Sequence, residues 1–282
     1  MIVMKSSENW QWPWSDAGEK AESVFASSLP SLYSHMSSYR DELTARQDQG
    51  RFWWELRSCA YWPEFEKPKI MYPEITWRAE WSFDERATFS NNTVYVLPTD
   101  DLWILAVANS PVNWWYSWRN AIHGKDEALR FIKDYAKTIP IPTPNAKQRS
   151  IAENLVRQLV ATSKTQQSTR KTLLDWFAIE YDIEKPSMKL QDPISLDSDS
   201  LVNEIKKLRG KKHPLSAAAL KALRDEDART LEPARRLQAE ALTLENQLSD
   251  LVNAAYGLTP EEVKLMWDTA PPRMPIPRPV GV

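Results

Sequence analysis

The residues Thr138–Asn145, TIPIPTPN, constrain this chain more than any other stretch. Pro140, Pro142 and Pro144 each fix φ at about −65° and keep the preceding residue out of the α region, so the segment must run extended. Asn145 then offers its side chain as a helix cap, and Ile151, Leu155, Val156, Leu159 and Val160 form one apolar stripe at helical spacing behind it. An extended linker feeding a capped helix divides the chain. Short, mixed elements lie on its N-terminal side, and long helical patterns lie on its C-terminal side.

Before the divide, Trp10, Trp12, Pro13 and Trp14 show no period, whereas Tyr33, Met36, Tyr39 and Leu43 after Leu29-Pro30 predict an amphipathic helix that Gly50 would end. From Phe65 to Leu105 the texture becomes strand-like. The runs KIMYPEI, ATFSNNTVYVLP and DLWILAVAN are short, rich in β-branched or aromatic residues, and bounded by Pro, Asn and Asp. Asn91-Asn92 supplies a turn or bulge, because Asn tolerates positive φ. Leu102, Leu105, Ala106 and Asn109 share a helical face, so Asp101–Trp118 reads as a helix or a strand passing into one.

After the divide, residues 183–198 read as a polar loop and Ser200–Arg209 as a short helix. Glu232–Tyr256 reads as a long helix whose Leu237, Ala241, Leu244, Leu248, Leu251 and Ala255 alternate steps of four and three, the seam of a coiled-coil-like pairing. Gly257 is placed as its C′ residue, Thr259-Pro260-Glu261-Glu262 opens another helix, and the proline-rich tail from Ala270 is expected to be loose. The expected fold class is therefore α+β: a mixed, β-containing domain over 1–140, a helical, coiled-coil-like domain over 141–270, and a tail over 271–282.

Composition removes several function classes. No apolar run reaches the roughly 18 residues of a membrane span, and the N-terminus lacks the basic and apolar regions of a secretion signal, so a cytoplasmic protein without a membrane partner is expected. Cys59 is the sole cysteine and only His35, His123 and His213 accompany it, which leaves no zinc-ligand spacing. No two of the 6 glycines fall within one short loop, so neither a phosphate-cradling loop nor a dinucleotide fingerprint can be built. The Asn/Asp/Ser-Pro-Pro-aromatic loop with which an adenine methyltransferase holds a flipped base is approached only by Ala270-Pro271-Pro272-Arg273, which has neither the polar acceptor nor the ring. Glu262-Val263-Lys264 has the spacing of a nuclease motif but no acid upstream on a strand. Cys59, between Ser58 and Ala60, is read as a buried structural thiol.

The net charge of −2 is not that of a strongly basic polyanion binder. Two basic islands interrupt this balance: Lys147, Arg149, Arg157, Lys164, Arg170 and Lys171 against Glu153 alone, and Lys206, Lys207, Arg209, Lys211 and Lys212 with no acid among them. Local fields steer a polyanion more than net charge does, although each island is equally consistent with a solvated helix face. A third concentration lies between Arg51 and Arg86, where Arg51, Arg57, Lys67, Lys69, Arg78 and Arg86 alternate with Trp53, Trp54, Tyr61, Trp62, Tyr72, Trp77 and Trp81. Cations at such spacing can hold phosphates while rings stack on bases or support the arginines. Most of these rings are expected to be core.

The order of segments carries a resemblance. RDELTARQDQG leads into RFWWELRSCAYWPEFEKPKIMYPEI, then FDERATFSNNTVYVLP, DLWILAVANSPVNWWY, IPIPTPNAKQRSIAENLVRQLV and AAYGLTPEEVKLM. From about Pro30 to Met266 this resembles the TaqI-like C-terminal specificity domain of type IIG restriction-modification enzymes and of related adenine-specific DNA methyltransferases, including those of phage-exclusion systems. The proline-rich exit is also similar to the passage from a target recognition domain into the spacer helix of type I specificity subunits. The matching motif residues are Trp53, Trp54, Glu55, Leu56 and Arg57, then Lys67, Pro68, Lys69 and Ile70, then Asn91, Asn92 and Thr93.

The resemblance implies a target recognition domain for double-stranded DNA over 1–140, with helices behind it that pack on a methyltransferase core. The family's catalytic half precedes this region, and here Met1 stands about thirty residues before the similarity begins, so no cofactor is expected in this chain and S-adenosylmethionine is expected on a partner methyltransferase or nuclease chain. Arg57, Lys67, Lys69, Arg78, Arg86, Lys147 and Arg149 are the expected phosphate contacts, with Asn91 and Asn92 near base edges. The alternative is a protein-interaction subunit or remnant that docks a catalytic chain through its helices and has little DNA affinity alone.

Overall fold

The computed structural model describes residues 2–210 and 213–281. The chain is an α+β protein with small antiparallel sheets and a long helical C-terminal region, and it forms two compact units, residues 1–69 with 85–89 and residues 70–84 with 90–282.

The first unit contains α1 (Ala21–Ser28), α2 (Pro30–Ser37) and α3 (Arg40–Ala45). The single helix predicted from Tyr33, Met36, Tyr39 and Leu43 is broken at Tyr39, whose φ of −118° and ψ of 22° leave the helical region. The break accompanies a polar cluster in which Glu22 accepts from Arg40 and from the Tyr33 hydroxyl, while the Arg40 guanidinium lies over the Trp53 ring at 4.3 Å. The aperiodic N-terminal tryptophans become core: Trp14 is fully buried, stacks on Trp12 at 5.0 Å and meets Phe25, which stacks on Trp54 at 5.0 Å.

At the centre of this unit Glu55 is wholly buried and saturated with donors. Its Oε1 accepts from the Trp14 indole at 2.9 Å, and its Oε2 accepts from the Ser7 amide and hydroxyl, each at 3.1 Å, and from the Arg51 amide at 3.2 Å. A buried carboxylate is tolerable only with partners of this kind. Gly50 does not cap a helix, since α3 ends at Ala45 with the next residue, Arg46, extended at ψ 139°. It lets two backbones touch: its amide donates to the Glu55 carbonyl at 3.1 Å, and a Cβ there would lie 2.4 Å from the Leu56 carbonyl oxygen. Glu55→Gln would turn an amide group toward donors and is expected to destabilise this unit by about 2–4 kcal/mol, read as a lower urea midpoint by tryptophan fluorescence. An unchanged midpoint would refute the hub role.

The second unit is built on two small sheets. In the first, β1 (Lys69–Pro73) lies between β3 (Ser82–Asp84) and β4 (Val94–Leu97). Its antiparallel register with β4 places Ile70 opposite Leu97 and Tyr72 opposite Tyr95. In the second, β6 (Leu129–Arg130) is flanked by β2 (Ile75–Thr76) and β5 (Ile122–His123). DLWILAVAN is helical, forming α4 (Leu102–Ala108), and α5 (Pro111–Asn120) and the short α6 (Lys133–Ala136) come after it. Asp101 caps α4 by accepting from the Trp103 amide at 3.0 Å, and Ser110-Pro111 starts the next helix. Tyr72 stacks on Trp81 at 4.0 Å over the buried faces of α4 and α5.

The long helices are α7 (Ala146–Tyr181), α8 (Ser198–Arg209), α9 (Ala217–Glu226), α10 (Glu232–Tyr256) and α11 (Pro260–Asp268). As the spacing predicts, Asn145 and Gln148 form a capping box on α7, Thr259 and Glu262 form one on α11, and Gly257 ends α10 at φ 72°. Helix α7 starts in the core around Leu155 and Val156 and ends in a second core around Leu173, Phe177 and Tyr181. Helix α10 returns antiparallel, from Ala234 in the second core to Leu248 and Val252 in the first. Four of the six predicted seam positions, Leu244, Leu248, Leu251 and Ala255, pack into the first core, while Leu237 and Ala241 are half-buried.

The stretch 183–198 is less polar in place than in sequence, because Ile183, Leu190 and Ile194 enter the second core. Helices α9 and α10 are joined through a π-turn, Asp227–Leu231, just before Pro233, whose missing N–H interrupts the ordinary ladder. The buried Asp227 accepts there from Arg235 at 2.6 Å. The tail expected to be loose is docked: Trp114 donates its indole N–H to the Pro272 carbonyl at 3.0 Å, Arg278 meets Asp268 at 2.8 Å, and Ile276 is buried beside Met266 and Trp267.

Burial pushes the phenols of Tyr72 and Tyr256 up to about 12. Both folded values lie above the unfolded one, so the unfolded chain releases these protons first and stability falls as pH rises from about 10 through about 12. Absorbance titration should show a tyrosine fraction ionising late in the native state and at the ordinary pH in denaturant. Coincident curves would contradict the burial.

Candidate nucleic-acid interface

The first unit carries four of the expected contacts. Arg57 is exposed, with Asp48 3.9 Å away. Lys67 closes the 3-10 turn Trp62–Glu66 and pairs with Glu64 at 2.7 Å while remaining exposed. Lys69 is different: it is fully buried, and its Nζ donates to the Phe65 carbonyl at 2.7 Å. Lys67 and Lys69 do not share a strand face, because β1 begins only at Lys69 and the two-residue alternation does not extend back across Pro68. Lys69 thus braces the turn and does not face solvent. Arg86 is exposed and lies beside Ala87, which takes φ 55°.

The other contacts belong to the second unit. Arg78 is exposed and pairs with Glu80 at 2.9 Å, next to the exposed Trp77. Asn91 folds back to make the turn before β4, its Oδ1 accepting from the Thr93 amide at 3.1 Å and hydroxyl at 2.6 Å. Asn92 projects from that turn, exposed and with no hydrogen bond to its amide among the described residues. Lys147 is exposed in the first turn of α7, which contains no acid. Arg149 instead pairs with the α4 cap, donating to Asp101 Oδ1 at 2.6 Å, and this carboxylate holds the guanidinium pKa above its usual value.

The basic islands divide in the same way. On α7, Arg170 meets Asp192 at 2.9 Å, whereas Arg157 and Lys171 are exposed. In the last turn of α8, where the helix dipole favours cations, Arg209 donates to the Tyr181 carbonyl at 3.0 Å and Lys207 stands 3.9 Å from Glu204. Lys211 and Lys212 lie outside the described residues.

Of the rings between Phe52 and Trp81, Trp54, Phe65, Tyr72 and Trp81 are core, and Tyr61 and Trp77 are the exposed ones. A row the sequence does not signal crosses the second sheet, where Ile75, Arg130 and Ile122 are in register and all exposed, Arg130 pairing with Glu74 at 2.5 Å. These strands are two residues long, so no alternation marks them. Among the candidate contacts, Arg57, Lys67, Arg78 and Arg149 therefore carry a neighbouring carboxylate. Such exposed pairs are weak and screened by salt, and phosphates can compete for them.

Comparison with known families accords with this geometry. Residues 29–141 match the TaqI-like C-terminal specificity domain, which bears out the resemblance carried by the motifs around Trp53, Lys67 and Asn91. Residues 145–252, the span from the start of α7 to near the end of α10, match a domain of unknown function, DUF8810. The two matches meet at the proline-rich stretch. No curated protein matches the chain significantly. No described helix is long and apolar enough to cross a membrane.

Asp101 serves α4 and Arg149 together, so Asp101→Ala should cost about 1 kcal/mol through the lost cap, seen as a lower thermal midpoint. Asp101→Asn should retain most of that stability, since Asn also caps. Equal losses from the two would show that charge rather than capping dominates.

Proposed function

We propose that this chain is the DNA sequence-recognition module of a restriction-modification or phage-defence adenine-N6 methyltransferase, binding duplex DNA while another chain supplies the covalent step. The observation that carries the reading is the match of residues 29–141 to a specificity domain. The absence from the sequence of a glycine-rich phosphate loop and of an adenine-methyltransferase loop supports assigning S-adenosylmethionine and base chemistry to a partner methyltransferase or nuclease chain.

On this reading Lys67, Arg57 and Arg86 in the first unit, and Arg78 and Lys147 in the second, contact phosphates, and Asn92 approaches a base edge. Arg and Lys position the duplex, and an uncommitted amide can donate to and accept from one base, the bidentate pattern that suits adenine. Arg149 joins them only when phosphate displaces Asp101. Because Leu244, Leu248, Leu251 and Ala255 of the α10 seam are engaged inside the chain, a catalytic partner would meet other parts of the helical region.

Fluorescence anisotropy on duplex DNA over a salt series tests this. The double variant Lys67→Ala, Arg78→Ala should weaken binding to all sequences alike and flatten the log K against log salt slope by about 0.9 for each lost phosphate contact. Glu64→Gln and Glu80→Gln, which release the same two cations, should tighten it. Asn92→Ala should relax discrimination at one position of the recognised site and leave the slope alone. Absence of duplex binding with and without the catalytic companion sinks the proposal, as does methyl transfer or cleavage by this chain alone.

A further inference from the structure

The first unit contains a cavity of about 190 Å³ whose walls include Met4, Met36, Leu43, Trp54, Arg46 and His35. It opens where Ile2 and Tyr39 are exposed. Its size is modest and informative, since a dry cavity of about 150 Å³ accommodates benzene. One aromatic ring with a small substituent fits.

None of the lining residues is Asp or Glu, and two of the polar groups in the wall, the Arg46 guanidinium and the Trp54 indole, can only donate. Arg46 gives its Nε to the Leu43 carbonyl at 3.1 Å and its Nη2 to the carbonyls of Trp53 and Glu55 at 3.0 and 2.9 Å. Nη1 has no partner, and no carboxylate pairs with this guanidinium among the described residues. Trp54 is 2% exposed, and its indole N–H also lacks an acceptor among them. A buried indole N–H ordinarily finds one. An apolar slot bounded by an uncompensated cation and an orphaned donor is suited to a ring bearing an anionic acceptor.

We propose that this cavity binds a small aromatic carboxylate of the benzoate class, its ring among Met4, Met36 and Leu43 and its carboxylate accepting from Arg46 and from the Trp54 indole. A pyrimidine or purine base fits less well, because it is neutral and brings no anionic acceptor to the Arg46 guanidinium. The site does not depend on the DNA-binding reading.

Saturation-transfer NMR and calorimetric titration of the full chain with benzoate, benzamide and thymine decide the matter. Benzoate should bind one per chain, about tenfold or more tighter than its neutral isostere benzamide. Leu43→Trp, which fills the slot, should abolish binding, and His35→Glu, which puts a like charge at the exposed wall, should weaken benzoate by about tenfold while leaving benzamide unaffected. His35→Glu decides the question if Leu43→Trp does not fold. The proposal falls if benzoate shows no saturable binding up to about 10 mM, if benzamide or thymine binds as well, or if His35→Glu has no effect.

Discussion

The antiparallel packing of α10 on α7 organises the second unit. Leu155 and Val156 of α7 share a core with Leu248 and Val252 of α10, and α4, α5 and the small sheets are arranged around that core. The sheets have strands of two to five residues, too short to bury an independent core. They persist because Tyr72, Trp81 and Phe131 fill the space between them and the helices. The same helix pair brings Leu173, Phe177 and Ala234 together at its other end, and α8 and α9 complete that second cluster.

The first unit depends on a polar centre inside an aromatic shell. Helices of six to eight residues are marginal on their own. What fixes them is the Trp14, Phe25 and Trp54 assembly and the Glu55 carboxylate, which gathers donors from Ser7, Trp14 and Arg51. That carboxylate belongs to the WWELR segment that carries the family resemblance. Its setting assigns the segment to the frame, where Glu55 and Trp54 are buried and only Arg57 turns outward.

Much of the helical half was legible because its signals are local. Asn145, Gly257 and Thr259 act through neighbours within four residues, and the predicted ends coincide with the observed caps. The mixed half was harder to read where partners are distant in sequence. Tyr39 breaks a helix whose spacing looked continuous, Gly50 answers to a backbone contact with Leu56 rather than to a helix end, and DLWILAVAN is apolar on every side because α4 is buried all round. Among the candidate contacts, residue type predicted charge but not exposure. Lys67 and Lys69 differ by two positions, yet one is solvated and the other enclosed, a distinction set by the turn at Phe65.

Between its two cores α7 runs from Ala161 to Thr172 without a buried residue, and α10 passes alongside. That polar span behaves as a ruler. At a rise of about 1.5 Å per residue it sets the two clusters about 18 Å apart along the helix axis, and each residue also sets their relative azimuth in steps of about 100°. Seven residues added to both helices would lengthen the reach by about 10 Å with the facing nearly kept, whereas one residue added to both would swing the distal cluster to a new bearing.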